Sequence, residues 1–259
     1  EFEWGTDIYQ DRQIVAEKVQ IVRERLPAGV NPVMAPISSI MGEIMLLGLR
    51  SEHVPANELD AEQQRMELRT LGEFTVRNRL LAVEGVSQVT VMGGTLKQYQ
   101  IITTPARLAA QNITLQELTD AAQKANVLAG GGIMVRLPRE SLIRISGQSL
   151  SLDEIANTPI LWRGKRAVLI KEVADVQFGG PVKRGDGSVR VKTENGVEGG
   201  AAVILAVQKQ PGADTLKLDA EISTVLDALQ ADLPNGVVIE RRIFKQADFI
   251  RAAIENVVE

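Results

Sequence analysis

The pentapeptide Leu-Pro-Ala-Gly-Val at residues 26–30 returns as Leu-Pro-Asn-Gly-Val at residues 233–237. The same offset places Gly5 on Gly212 and Asp7 on Asp214. Between these anchors both segments carry an apolar stripe at helical spacing: Val15, Val19, Val22 and Leu26 in one, Ile222, Leu226, Leu229 and Leu233 in the other. Asp7 and Asp214 stand where a helix takes its N-cap, and the Pro and Gly that follow end each helix. Strands are expected before and after each helix, at residues 2–4 and 31–34 in the first copy and 201–207 and 237–243 in the second. The run 201–207 is apolar throughout, as suits a strand buried on both faces. A chain with such a repeat is constrained to duplicated β-α-β units.

The stretch between the copies supplies a further unit. Residues 44–49 read as a strand, about 60–81 as a long helix, and 86–92 as a strand. Joined to the terminal unit this makes a β-α-β-β-α-β, or ferredoxin-like, arrangement and an α+β fold class. The joining is interrupted by an insertion of about 96–180. Tyr99 and Ile101 alternate with polar residues in a strand. Thr114 and Glu117 form a capping box, as do Ser151 and Glu154, each opening a helix. Gly130, Gly131 and Gly132 then break the chain before a hairpin with arms at 133–137 and 142–146 and its turn at Pro138 and Glu140. Strands follow at 167–170, 173–178 and 189–194, and a last helix begins near Ala247.

Composition removes several function classes. Net charge is −4 with both signs mixed, which leaves no basic stripe for nucleic acid. Aromatic residues are 3% of the chain, too few for a stacking platform. There is no cysteine, so thiolate zinc sites, disulfides and cysteine catalysis are excluded. No apolar run reaches the ~20 residues that span a bilayer.

The order of segments resembles one family. FEWGTDIY, then LPAGV and MAPISSIMGEI, VEGVSQVTVMGGTLKQYQI, AGGGIMVRLPRESLIRISG, KEVADVQFGGPVKRG and KQPGADTL follow one another as in the heavy-metal efflux branch of the resistance-nodulation-division (RND) transporters. The resemblance implies the first periplasmic loop of a proton-driven inner-membrane pump. Residues 1–36 would be the C-terminal half of one porter subdomain, 37–95 and 181–246 a second, ferredoxin-like one, and 96–180 an inserted α+β docking subdomain. Its projecting hairpin, about 130–146, carries Gly130, Gly131, Gly132, Met134, Arg136 and Pro138 to a neighbouring subunit. Residues 247–259 would start the helix toward the second transmembrane segment. The implied partners are two further copies in a homotrimer, a periplasmic adaptor and an outer-membrane channel. Without the other half of its subdomain, the first helix is expected to pack on a second copy or to lack order. The alternatives are an RND exporter of organic compounds and a periplasmic ring-building scaffold that transports nothing.

Candidate chemistry is sparse. His53 is the only histidine and sits in a polar loop, where a solvated role is expected. The six methionines are soft donors suited to Cu(I), but their scatter reads as core packing. Copper-type relatives tend to carry Met where this chain has Val182. Read by itself, Glu43 is a solvated residue at a strand end; by the same resemblance it would face the substrate cleft, where its carboxylate suits a hard or borderline divalent ion such as zinc or cobalt. Gly130 to Gly132 follow a helix, the reverse of a phosphate cradle. No catalytic constellation and no resident cofactor are expected.

Overall fold

The computed structural model describes residues 2–3, 5–27, 29–37, 42–125, 133–136, 139–142, 151–183, 185–194 and 196–258. It is a mixed α+β structure whose sheets are antiparallel. The main sheet holds β1 (Glu43–Ser51), β2 (Val86–Met92), β9 (Ser188–Thr193), β10 (Gly196–Lys209) and β11 (Val237–Lys245). Its order is β11-β1-β10-β2, with β9 pairing β10. One helical connection joins β1 to β2, running as α2 (Glu58–Thr70), a π-helical turn (Leu71–Val76) and α3 (Arg77–Leu81). The other, α8 (Thr215–Asp232), joins β10 to β11. Each helical connection therefore bridges two strands that have a third strand between them.

Alternation along the strands explains the layers. Met45, Leu47 and Leu49 lie opposite Val207, Leu205 and Val203, and all are buried with Leu68, Val76 and Leu80 of the first helical connection and Ile222, Leu226 and Leu229 of α8. The π turn seats Gly72 on the sheet, where a Cβ would stand 3.0 Å from Val203 Cγ1.

Residues 98–179 form a separate body with its own core of Leu108, Ile113, Leu118, Ile155, Val168, Ile170 and Val173. It holds β3 (Gln98–Thr103), α4 (Pro105–Ala110), α5 (Leu115–Ala125), β4 (Ile133–Arg136), β5 (Arg139–Leu142), α6 (Leu152–Ala156), β6 (Pro159–Arg163), β7 (Arg166–Leu169), α7 (Ile170–Val173) and β8 (Ala174–Gly179). Both expected helix openings are seen: the Glu117 N–H donates to Thr114 Oγ1, and the Glu154 N–H donates to Ser151 Oγ. The second arm of the hairpin begins earlier than its sequence pattern places it. Register pairs Arg136 with Arg139, so the second arm starts at Arg139 rather than at residue 142. Gly130, Gly131, Gly132 and Pro138 lie outside the described residues.

The remaining helices are α1 (Ile8–Arg23) and α9 (Gln246–Val258). The two halves of the repeat share their backbone. Asp7 and Asp214 cap α1 and α8 with φ, ψ of −74°, 115° and −72°, 118°. The N–H two residues on donates to each carboxylate, from Tyr9 at 2.8 Å and from Leu216 at 2.9 Å. After each helix a 3.1 Å bond runs to the Pro carbonyl, from Val30 to Pro27 and from Val237 to Pro234. The intervening glycine has φ +91° at Gly29 and +81° at Gly236, where a side chain would be strained. Their surroundings differ completely. Ile222, Leu226 and Leu229 are fully buried, whereas no residue of α1 is buried. The described residues at the strands expected at 2–4 and 31–34 adopt no strand: a strand needs a partner for its N–H and C=O groups, and none of the described residues pairs with them.

Candidate functional site

The candidate site follows from what register does to the face of the sheet turned away from the helices. β1 is bulged between Glu43 and Met45, so Ile44 and Met45 both enter the core and Glu43 lands on the opposite face. There it lies across from Gln208 of β10, which in turn lies across from Gln88 of β2. Directly cross-strand residues have Cα atoms about 5 Å apart. One row of three oxygen-bearing side chains therefore crosses three strands. Thr90, paired with Ala206, lies in the next row of the same face, and its hydroxyl accepts from Gln88 Nε2 at 3.1 Å.

Two groups in this row have no partner among the described residues. The Glu43 side chain, half-buried, makes no ion pair or hydrogen bond with any of them. The side-chain Oε1 of Gln208 is buried and accepts no hydrogen bond. An unpaired carboxylate beside an unpaired amide oxygen is a partial cation site of hard donors. Farther along the same face one carboxylate is already paired. Glu240, 4% exposed, receives two bonds from the Arg242 guanidinium, at 2.8 and 2.9 Å. Those bonds, against the opposing effect of burial, hold its carboxyl below the usual range. Gly48 leaves room for Val189 of β9 to fold onto the face, where a Cβ would stand 2.6 Å from Val189 Cγ2.

The other sequence candidates are dispersed. His53 follows β1, at the far end of the strand from Glu43, and is exposed. Its Nε2 lies 3.4 Å from Asp60 Oδ2, which also accepts from the Ala56 N–H at 2.8 Å. The Ala56 bond chiefly, with His53, holds the Asp60 carboxyl below the usual range. This pair borders a groove of about 890 Å³ along α2, with Met66, Leu71, Lys97 and Phe178 on its walls. Met45 is in the core as expected, while Met92 stands exposed on the sheet, so packing does not account for every methionine. Val182 is exposed on the chain returning from the inserted body. Met134 pairs with Ser141, and Arg136 with Arg139, in the hairpin. Among the described residues no three His, Asp or Glu side chains come together as a metal cluster. Gln208 and Gln88 escaped the sequence reading because cross-strand register is non-local. The one available signal was the polar break that Gln208 makes at the end of an apolar strand.

A family model described as the AcrB/AcrD/AcrF family matches residues 1–259. The cobalt-zinc-cadmium resistance protein CzcA of Cupriavidus metallidurans is 30% identical over 238 residues, 92% of this chain and 22% of that protein. The cation efflux system protein CusA of Escherichia coli is 29% identical over 257 residues, 98% of this chain and 23% of that protein. A crystal structure of a heavy metal efflux pump superposes with a TM-score of 0.76 at 24% identity, covering 98% of this chain and 24% of that one. The chain thus spans about a quarter of the length of these relatives. No helix among the described residues is long and apolar enough to cross a membrane.

Proposed function

Because the chain belongs to the AcrB/AcrD/AcrF family of transporters, we propose that it is the periplasmic porter and docking region of a proton-driven exporter of heavy-metal cations. The cargo is a zinc-, cobalt-, nickel- or cadmium-like ion rather than copper. The observation that carries this reading is the unpaired Glu43 carboxylate in one cross-strand row with the unpartnered Gln208 oxygen. Oxygen donors suit hard or borderline divalent ions, and Cu(I) prefers the thioethers that this row lacks. The names of the relatives, which cite cobalt, zinc, cadmium and cation efflux, agree with it.

The strand order β11-β1-β10-β2, with helices over one face, supports a ferredoxin-like porter subdomain formed by residues 37–95 and 181–246. The separate core of 98–179 supports a docking subdomain at 96–180. Residues 1–36, with the capped helix and turn of the repeat but an uncovered stripe, are the matching half of a second porter subdomain, and residues 247–259 begin a helix toward the membrane. In the working pump three copies assemble, and they act with a periplasmic adaptor and an outer-membrane channel. The porter units shift as rigid bodies to open and close the cleft.

The deciding experiment is tolerance of cells carrying the full-length gene to Zn, Co, Ni, Cd and Cu and to organic dyes and detergents, with Glu43→Gln alongside. Loss of zinc and cobalt tolerance in Glu43→Gln is the expected result. Tolerance only to organic compounds would replace the cargo assignment, and no effect of the gene on any of them would leave the scaffold reading. Unchanged metal tolerance in Glu43→Gln would remove that residue from the site.

A further inference from the structure

Two crossings of the chain join the sheet to the inserted body: residues 93–97 lead out and residues 180–187 return. Bodies with separate cores joined by linkers move relative to each other by default unless something holds them. Here both crossings are held against the same helix. Arg69 Nη1 of α2 donates to the Gly93 carbonyl at 2.8 Å, and the Thr95 N–H donates to the Arg65 carbonyl at 3.3 Å. Gly93, at φ +77°, lets the two crossings meet backbone to backbone: a Cβ there would stand 2.8 Å from the Gly187 nitrogen. The Gly187 carbonyl then accepts from the Ala202 N–H of β10 at 2.8 Å.

One carboxylate joins α2 to the returning crossing. Glu62 Oε2 accepts from Arg65 Nε on its own helix at 2.9 Å and lies 3.0 Å from Lys183 Nζ on the returning crossing. Lys183 also reaches Asp186 at 3.8 Å. On the outgoing crossing Thr95 is buried, and its N–H bond to the Arg65 carbonyl ties that crossing to the residue Glu62 holds. Burial opposes the charge on Glu62, but these donors outweigh it and hold its carboxyl down to about 2.

We propose that Glu62 is a coupling node that, through Lys183, fixes the returning crossing to α2 beside the outgoing crossing that Arg65 and Arg69 hold, so that the inserted body follows that helix instead of swinging on its linkers. Charge-assisted bonds of this kind are short and directional, which is what a fixed joint requires. The inference concerns the joint alone and holds whatever the cargo is.

The absence of cysteine makes the test direct. Spin labels at Ala110→Cys on α4 and Ala228→Cys on α8 report the distance between the bodies. Labels at Arg190→Cys and Ala228→Cys report the sheet body alone. In Glu62→Ala the first distribution is expected to broaden about twofold while the second stays unchanged, and the Thr95 amide, held by the Arg65 backbone carbonyl, is expected to keep its protection. Lys183→Met, which cuts only the returning crossing, is expected to broaden the first distribution and leave Thr95 protected. The proposal is overturned if either variant keeps the parental distribution between the bodies, or if the control pair broadens as much.

Discussion

The repeat gives an internal controlled comparison. Ile222 of α8 and Val15 of α1 occupy the same position of the same capped helix, yet Ile222 is fully buried and Val15 is 37% exposed. Ile222→Ala removes three carbons from a filled core. At about 0.8 kcal/mol each the transfer loss is about 2.4 kcal/mol. The cavity left between Leu226, Leu218 and the sheet raises this to about 3–4 kcal/mol. Val15→Ala removes two carbons that already meet solvent, and alanine gains a few tenths of a kcal/mol in helix propensity. Its expected effect is within about 0.5 kcal/mol of zero. Since the two cores can open separately, the measurement is a urea titration read by amide exchange of β10, which reports on the sheet body. With a slope of about 3 kcal/mol per molar urea, Ile222→Ala shifts the midpoint down by about 1 M. A loss of more than about 2 kcal/mol in Val15→Ala, measured the same way, would refute the reasoning. It would mean that α1 is covered in solution by something that this fold does not supply.

Three further outcomes are expected. Asp219 of α8, 4% exposed, accepts from Arg251 of α9 at 2.8 Å and lies 3.2 Å from Lys245 Nζ of β11 as an ion pair. Asp219→Asn should cost about 2 kcal/mol and speed amide exchange across α9, while exchange in β2 stays as before. The Glu62 carboxyl is held down to about 2 against an ordinary 4.5, so its contribution is fully present above pH 4.5 and is lost as pH falls toward 2. Acid titration should therefore show a loss of up to about 3 kcal/mol in this window that is missing from Glu62→Gln. Gly93→Ala forces a side chain into a left-handed backbone and against Gly187, and should lower the sheet-body midpoint by at least about 2 kcal/mol.

What could be read in the sequence was local or periodic. The strand 86–92 and the caps at Asp7, Asp214, Thr114 and Ser151 were legible because a short pattern determines each one. The strands at 2–4 and 31–34 were not, because their patterns are those of a strand whose partner is elsewhere. The hairpin arm was misplaced because alternation alone does not set turn length; the pairing of Arg136 with Arg139 does. Glu43 was named a candidate through resemblance, but its cross-strand neighbours needed the bulge at Ile44 and the register of β10 on β1 and β2. Glu62 gave no signal at all. Its partner Lys183 is remote in sequence and meets it only because the returning crossing comes back to the same helix.

The two faces of the sheet divide the work, and the division can be tested on one residue. The helix-covered face, with Met45, Leu47, Leu49, Val203, Leu205 and Val207, carries the burial that holds this body together. On the other face Gln208 makes no side-chain hydrogen bond through Oε1 and packs no core. An unpaired buried oxygen is itself unfavourable, so its removal should be tolerated or even help. Gln208→Leu is therefore expected to change the urea midpoint by less than about 0.5 kcal/mol equivalent, or to raise it. In the full-length gene it should lower zinc and cobalt tolerance in the same direction as Glu43→Gln. A donor kept for the cargo predicts this separation of stability from tolerance. If Gln208→Leu destabilised the sheet body by 2 kcal/mol or more, or left metal tolerance intact, the oxygen row would be a feature of packing rather than of transport.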